Sequence, residues 1–202
     1  MTATINASTS SGVILTSDTS GNLDLQSNGT SKVSVTSGVT TIASLSVTAY
    51  TPTASLLTSG TAVASTSGTS IDFTSIPSWV KRITVMFGGV STSGVADLFV
   101  QIGTVSGVET TGYLAVSDVS AFTSAFGIRT QNATFTVKGA MVITNLTSNT
   151  WVMTTNTYID TGTTSRNGSG SKTLAGTLDR VRITTSNGTD TFDAGSINIM
   201  YE

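Results

Sequence analysis

Apolar and polar residues alternate in short runs along most of this chain, and Gly, Asn and Ser interrupt the runs every few positions. Phe135 and Val137, Met141 and Ile143, and Val181 and Ile183 each stand two apart, with Arg180 and Arg182 on the opposite parity of the last run. A period of two places one set of side chains on a single face of a strand. The pattern predicts strands at residues 62–65, 70–73, 82–87, 98–103, 112–116, 133–146, 150–159, 172–175, 181–185 and 196–201. Between them fall turn-forming stretches: Gly88-Gly89, Thr92-Ser93-Gly94, residues 145–149, Asn167-Gly168-Ser169-Gly170 and Asn187-Gly188. Many short strands at regular spacing predict an all-β fold, an antiparallel β-sandwich of jelly-roll-like type. Ile76 to Lys81 is the one helix-like stretch, long enough for about one turn. Parallel α/β folds need crossover helices, and the pattern predicts none.

Residues 1–48 read differently. Apolar pairs recur ten residues apart, Val13 and Leu15, Leu23 and Leu25, Val33 and Val35, with turn residues between them, including the hairpin-forming Asn28-Gly29. Each unit is a short strand and a turn. Two apolar residues per strand cannot form a core alone, so this β-repeat segment needs neighbours: a larger domain or copies of itself. A three-fold axis would supply the copies, which makes a homotrimer the expected assembly. Pro52, which fixes φ and cannot donate to a ladder, marks a linker at 49–60. The sandwich domain is then 61–202.

Composition sharpens this reading. Only 10% of the 202 residues are charged while 38% are hydrophobic, so the low-hydrophobicity, high-charge signature of disorder is absent. A chain this long can bury roughly 70% of the surface exposed when unfolded, so a core is available without staples. There is no Cys, hence neither a disulfide nor a thiolate metal site. Nine basic against eleven acidic residues leave a net charge of -2, without the basic stripe of a nucleic-acid binder or the polybasic patch of a membrane-surface protein. No stretch approaches the ~20 apolar residues of a membrane helix. The first residues lack the basic and apolar regions of a signal peptide, so synthesis in a cytoplasm is expected, with any passage out of the cell by another route.

The chemistry available is limited. The chain has no His, which removes Ser-His-Asp and Cys-His triads together with the commonest general base. No Walker A pattern occurs, and Gly168-Ser169-Gly170 reads as a flexible tip rather than a phosphate cradle. The closest acidic pair is Asp190 and Asp193. Its plain reading is a loop whose Asn and Asp side chains bond local backbone. Its sharper readings are a Ca²⁺ site built from oxygen ligands or a glycosidase-like carboxylate pair. No cofactor is expected, and a non-enzymatic role is. Six Asn-x-Ser/Thr sequons, at Asn6, Asn28, Asn132, Asn145, Asn167 and Asn187, follow from the Ser/Thr content. Trp79 and Trp151 are expected in core or edge packing, with sugar stacking as the alternative. Loops 91–97, 117–132 and 161–171 form the natural ligand surface.

Two stretches carry a family resemblance. Thr69-Ser70-Ile71-Asp72-Phe73-Thr74-Ser75-Ile76-Pro77-Ser78-Trp79-Val80-Lys81-Arg82-Ile83-Thr84-Val85-Met86-Phe87 resembles the opening of a β-rich module of tailed-phage particle proteins. The closing stretch, from Leu178-Asp179-Arg180-Val181-Arg182-Ile183 through Asn187-Gly188-Thr189-Asp190-Thr191-Phe192-Asp193-Ala194-Gly195 to Glu202, is similar to the end of the same module, and Glu109-Thr110-Thr111-Gly112-Tyr113 fits between. Residues 16–30 resemble the short repeats near the start of such proteins. The resemblance implies a structural protein of a virion: a tail-fibre-like or receptor-binding appendage, attached to other virion proteins through residues 1–48 and facing a host-surface glycan or receptor. The short chain leaves almost no shaft, which opens the alternative of a capsid decoration or cement protein or a short head fibre.

Overall fold

The computed structural model describes residues 57–160 and 164–202, together with Gln26, Ser27, Thr30 and Ser31. The chain divides into two compact units, Met1–Thr51 and Pro52–Glu202. In the first, strands β1 (Gln26–Ser27) and β2 (Thr30–Ser31) pair antiparallel, with Ser27 opposite Thr30. That register is the one a two-residue hairpin connection dictates. Val13, Leu15, Leu23, Leu25, Val33 and Val35 lie outside the described residues.

The second unit contains β3 (Thr58–Ser59), β4 (Val63–Ala64), β5 (Ser70–Phe73), β6 (Arg82–Thr92), β7 (Leu98–Thr104), β8 (Gly107–Val108) and β9 (Tyr113–Ser117). It continues with β10 (Ser120–Phe122), β11 (Phe126–Ile128), β12 (Val137–Thr147), β13 (Thr150–Ile159), β14 (Thr164–Thr173), β15 (Arg180–Thr185) and β16 (Phe192–Tyr201). These strands form the expected antiparallel sandwich. The larger, nine-stranded sheet runs β10-β9-β14-β13-β12-β6-β16-β3, with β4 also on β16; the smaller, five-stranded sheet runs β11-β7-β15-β5, with β8 on β7. No helix occurs among the described residues. The stretch expected to make a helical turn holds one hydrogen-bonded turn, Val80 N–H to Pro77 O at 3.1 Å.

Alternation explains the layers. Ile83, Val85 and Phe87 of β6, Met141 and Ile143 of β12, and Ile197 and Ile199 of β16 are buried on the inner face of the larger sheet. Leu98, Val100 and Ile102 of β7 and Val181 and Ile183 of β15 meet them from the smaller one. Each such side chain contributes about 1.5–3 kcal/mol on full burial. Trp151 joins this core, whereas Trp79 sits half exposed at the edge, its ring 6.0 Å from that of Tyr201.

Two turn assignments are corrected by the structure. Gly88-Gly89 does not separate strands; it lies within β6, which runs on to Thr92. Pairing of β6 with β12 shifts there, at Val137/Lys138, and pairing with β16 shifts at Ala194/Ser196. Gly89 has φ 71° and Gly195 φ 89°, and a Cβ on Gly195 would strike the Gly89 carbonyl. This is a bulge that bare backbone alone permits. Gly195→Ala is therefore expected to destabilise the fold by about 1–3 kcal/mol, read as a lower urea midpoint.

The second correction is Asn167-Gly168-Ser169-Gly170, which is not a loop tip but the middle of β14, between β13 and β9. A Cβ on Gly170 would come within 2.6 Å of the Ala115 Cβ, and one on Gly168 within 2.8 Å of the Val116 carbonyl. Glycine here lets β9 approach closely. The strand expected at 172–175 accordingly begins at Thr164 and ends at Thr173.

Pairing registers also define the two ends of the sandwich. Thr58 lies opposite Tyr201, and the Lys81 and Arg82 amides donate to the Glu202 carbonyl. The chain thus enters the sandwich at the end where it also finishes, beside the 145–149 turn, where the Asn145 amide donates to the Lys81 carbonyl. The connections 93–97, 129–136 and 186–191 occupy the opposite end, where Ser93 and Asp97 bond to Thr191, Ser186 and Thr130.

Candidate functional site

The end opposite chain entry is held by a dense set of local hydrogen bonds. Asn187, the turn residue, accepts the Thr189 and Asp190 amides on its side-chain oxygen at 3.0 and 3.1 Å. That is the Asx geometry expected of Asn before Gly, and Gly188 follows with φ 68°. Connections 93–97 and 186–191 are zipped together. Ser93 N–H donates to Thr191 O at 2.8 Å, Ala96 N–H to Asp190 Oδ2 at 3.0 Å, and Ser186 N–H to Asp97 O at 2.8 Å. Asp97 also accepts the Thr130 amide at 2.9 Å, and burial pushes its carboxyl above the ordinary range.

These bonds say what the acidic pair does. Asp190 accepts from the Asn187 side chain and from Ala96, and the Asn187 hydrogen bond, followed by that of Ala96, holds its carboxyl below the ordinary range. Asp193 accepts the Ser91 hydroxyl. Asp190 thus ties the two connections together, and Asp193 ties β16 to β6. Among the described residues, no group of three or more His, Cys, Asp and Glu that could hold a metal ion occurs. Local backbone is bonded by Asn187, whereas Asp190 reaches the distant Ala96 amide and Asp193, a residue of β16, the Ser91 hydroxyl of β6.

Beside this end, the outer face of the smaller sheet carries a groove of about 400 Å³. Thr69 and Ser70 form one wall. Gln101 and Phe99 of β7 and Arg182 and Thr184 of β15 supply the floor, while Ser124 and the turn Ser186-Asn187-Gly188 close the remaining sides. Its polar groups are pre-set by internal bonds. Arg182 grips Asp72 with two hydrogen bonds, 2.7 and 2.9 Å, which neutralise its charge. Gln101 donates to Ser124 O at 3.1 Å, and Thr184 donates to Thr69 O at 2.8 Å. Phe99 meets Phe122 edge-on, ring centroids 5.6 Å apart, so the connection from β10 to β11 covers part of β7's outer face. Hydroxyls, amides and a charge-balanced guanidinium are suited to hydrogen-bonding an uncharged polar ligand.

Of the loops expected to bear ligands, 91–97 reaches this end, 117–132 contributes Ser124 and contains the short strands β10 and β11, and 161–171 is mostly β14, with residues 161–163 outside the described set. The sequence reading missed Phe99, Gln101 and Thr184. The parity of Arg180 and Arg182 against Val181 and Ile183 was the available signal, since it marked β15 as having a polar outer face.

A smaller cavity of about 110 Å³ lies at the chain-entry end, lined in part by Pro77, Lys81, Asn149 and Trp151. Among the described residues, the buried Trp151 indole N–H has no hydrogen-bond partner.

No protein-family model, no curated protein and no solved structure matches the chain.

Proposed function

We propose that this chain is a non-enzymatic structural protein of a tailed-phage virion, a tail-fibre-like or receptor-binding appendage. In this reading its N-terminal segment joins other virion proteins, and its sandwich meets a host-surface glycan or protein receptor. The observation that carries the reading is the groove next to the tied loops at the end opposite chain entry. Rigid scaffolds commonly present recognition residues in that way, and the groove's volume lies within the roughly 300–1,000 Å³ of small-ligand sites. The resemblance of residues 69–87 and 178–202 to a phage particle module supplies the setting.

Immunogold electron microscopy of intact particles, with antibody against residues 60–202, tests the proposal. Label confined to the tail is expected. Label spread over the head would replace the appendage with a capsid decoration or cement protein. Particles that carry no label would overturn the virion assignment altogether.

A further inference from the structure

The outer face of the larger sheet is the least explained surface of the molecule. Pairing registers place its outward side chains in rows that cross β9, β14, β13, β12, β6 and β16. One row reads Val116, Ser169, Thr154, Val142, Thr84, Met200. The next reads Asn167, Asn156, Ala140, Met86, Asn198, with Asn156 donating to Asn167 at 2.8 Å. A third carries Leu114, Ser171, Val152 and Thr144.

Charge on these described strand positions is confined to the ends of the central strands β6 and β12. Arg82 ends one row and pairs with Glu202; Lys138 lies in the outermost row and pairs with Asp160. Leu114 is 74% exposed, and with Val116 it borders an apolar concavity of about 380 Å³ at the β9–β10 edge. Val119, in the adjoining turn, is 87% exposed. Depletion of charge from the centre of a patch is the anatomy of an interface.

We infer that this face packs against the same face of a second copy of the chain. Its extent argues for that occupant. Its outward positions, only two of them on β9 and three on β16, lie about 4.8 Å apart across strands and about 6.8 Å apart along them, and cover on the order of 600–700 Å². A stable pair of proteins buries about 600–1,000 Å² on each side, so the face is large enough. The near absence of charge means that two identical faces meet without like-charge repulsion, which an isologous contact requires. The contact stacks sheet on sheet, as the inner faces of one sandwich do. It is independent of the proposed receptor groove, which lies on the other sheet.

Sedimentation equilibrium of the full chain and of Val142→Glu/Thr154→Glu decides the matter. The two positions are cross-strand partners at the centre of the face. The wild type is expected at a higher mass than the variant, because an isologous contact joins copies that the variant leaves apart. Val105→Glu, in the exposed turn between β7 and β8 of the smaller sheet, is expected to keep the wild-type mass. Equal masses for wild type and face variant would overturn the inference. A second measurement stands if that variant unfolds. The chain has no Cys, so Thr154→Cys provides a single thiol. Its maleimide labelling is expected to slow as protein concentration rises; a rate independent of concentration would overturn the pairing.

Discussion

Tyr113→Ala is expected to destabilise the sandwich by about 3–5 kcal/mol, the cost of an emptied large core site, and Tyr113→Phe by about 1–3 kcal/mol, the cost of buried groups left unpaired. Tyr113 is fully buried and stands on β9 of the larger sheet, yet its hydroxyl bonds to β7 of the smaller. Ile102 N–H donates to it at 2.8 Å, while the carbonyls of Glu109 and Ile102 lie 3.0 and 3.2 Å away to accept its proton. The ring meets Phe126 edge-on, centroids 5.0 Å apart. Burial raises the phenol well above its ordinary value, so the hydroxyl remains a neutral donor at any pH the fold tolerates. Phe keeps the ring packing and removes only the bridge between sheets. Urea unfolding of both variants separates the contributions. A Phe variant as stable as the wild type would show that the hydroxyl bridge contributes nothing net.

The sequence revealed strands wherever one face is apolar and the other is not. β5 and β13 lie at the residues that alternation indicates, because Ile71 on one and Trp151, Met153 and Ile159 on the other must face the core. β14 gave no such signal. Its inward positions include the charged Arg166, and Gly168 and Gly170, where β9 leaves no room for a side chain. A strand built of Ser, Gly and Asn has the composition of a loop. Strand order was hidden for a different reason. β6 pairs with β16 and β7 with β15, and period-two patterning specifies a face but not a partner.

The site divides along the same line. The Asn187-Gly188 turn was legible because Asn and Gly satisfy a local geometry. The partners of Asp190 and Asp193 were not legible, because Ala96 and Ser91 lie 94 and 102 residues away along the chain. The groove was not legible. In Leu98-Phe99-Val100-Gln101-Ile102 both parities look buried, and both are, since the β10–β11 connection lies over Phe99 and Gln101. A polar site on the outside of a sheet, roofed by a distant loop, leaves no periodic trace.

Glu109→Ala is expected to destabilise the fold by about 3 kcal/mol, because it strands a buried cation. Lys172 is 6% exposed and hydrogen-bonds the Glu109 carboxylate, whose other oxygen takes the Ala175 amide at 2.8 Å. The ammonium also lies 5.6 Å from the centre of the Tyr113 ring. Burial alone would raise the Glu109 carboxyl, but the Lys172 hydrogen bond, the Ala175 amide and the lysine charge outweigh it and hold the group below its ordinary value. A carboxyl depressed in the folded state binds its proton more readily when unfolded. Its contribution to stability is therefore complete above the unfolded glutamate range and is lost as pH falls through the folded value. The wild type should lose urea resistance below about pH 5, and Glu109→Gln, which has no carboxylate to protonate, should lose less over the same interval. Parallel pH profiles would show that other carboxylates govern the acid transition. Because Tyr113 bonds the Glu109 carbonyl and lies under the Lys172 ammonium, the effects of substitutions at Tyr113 and Glu109 should not add. The two sheets and this ion pair form one coupled unit at the chain-entry end.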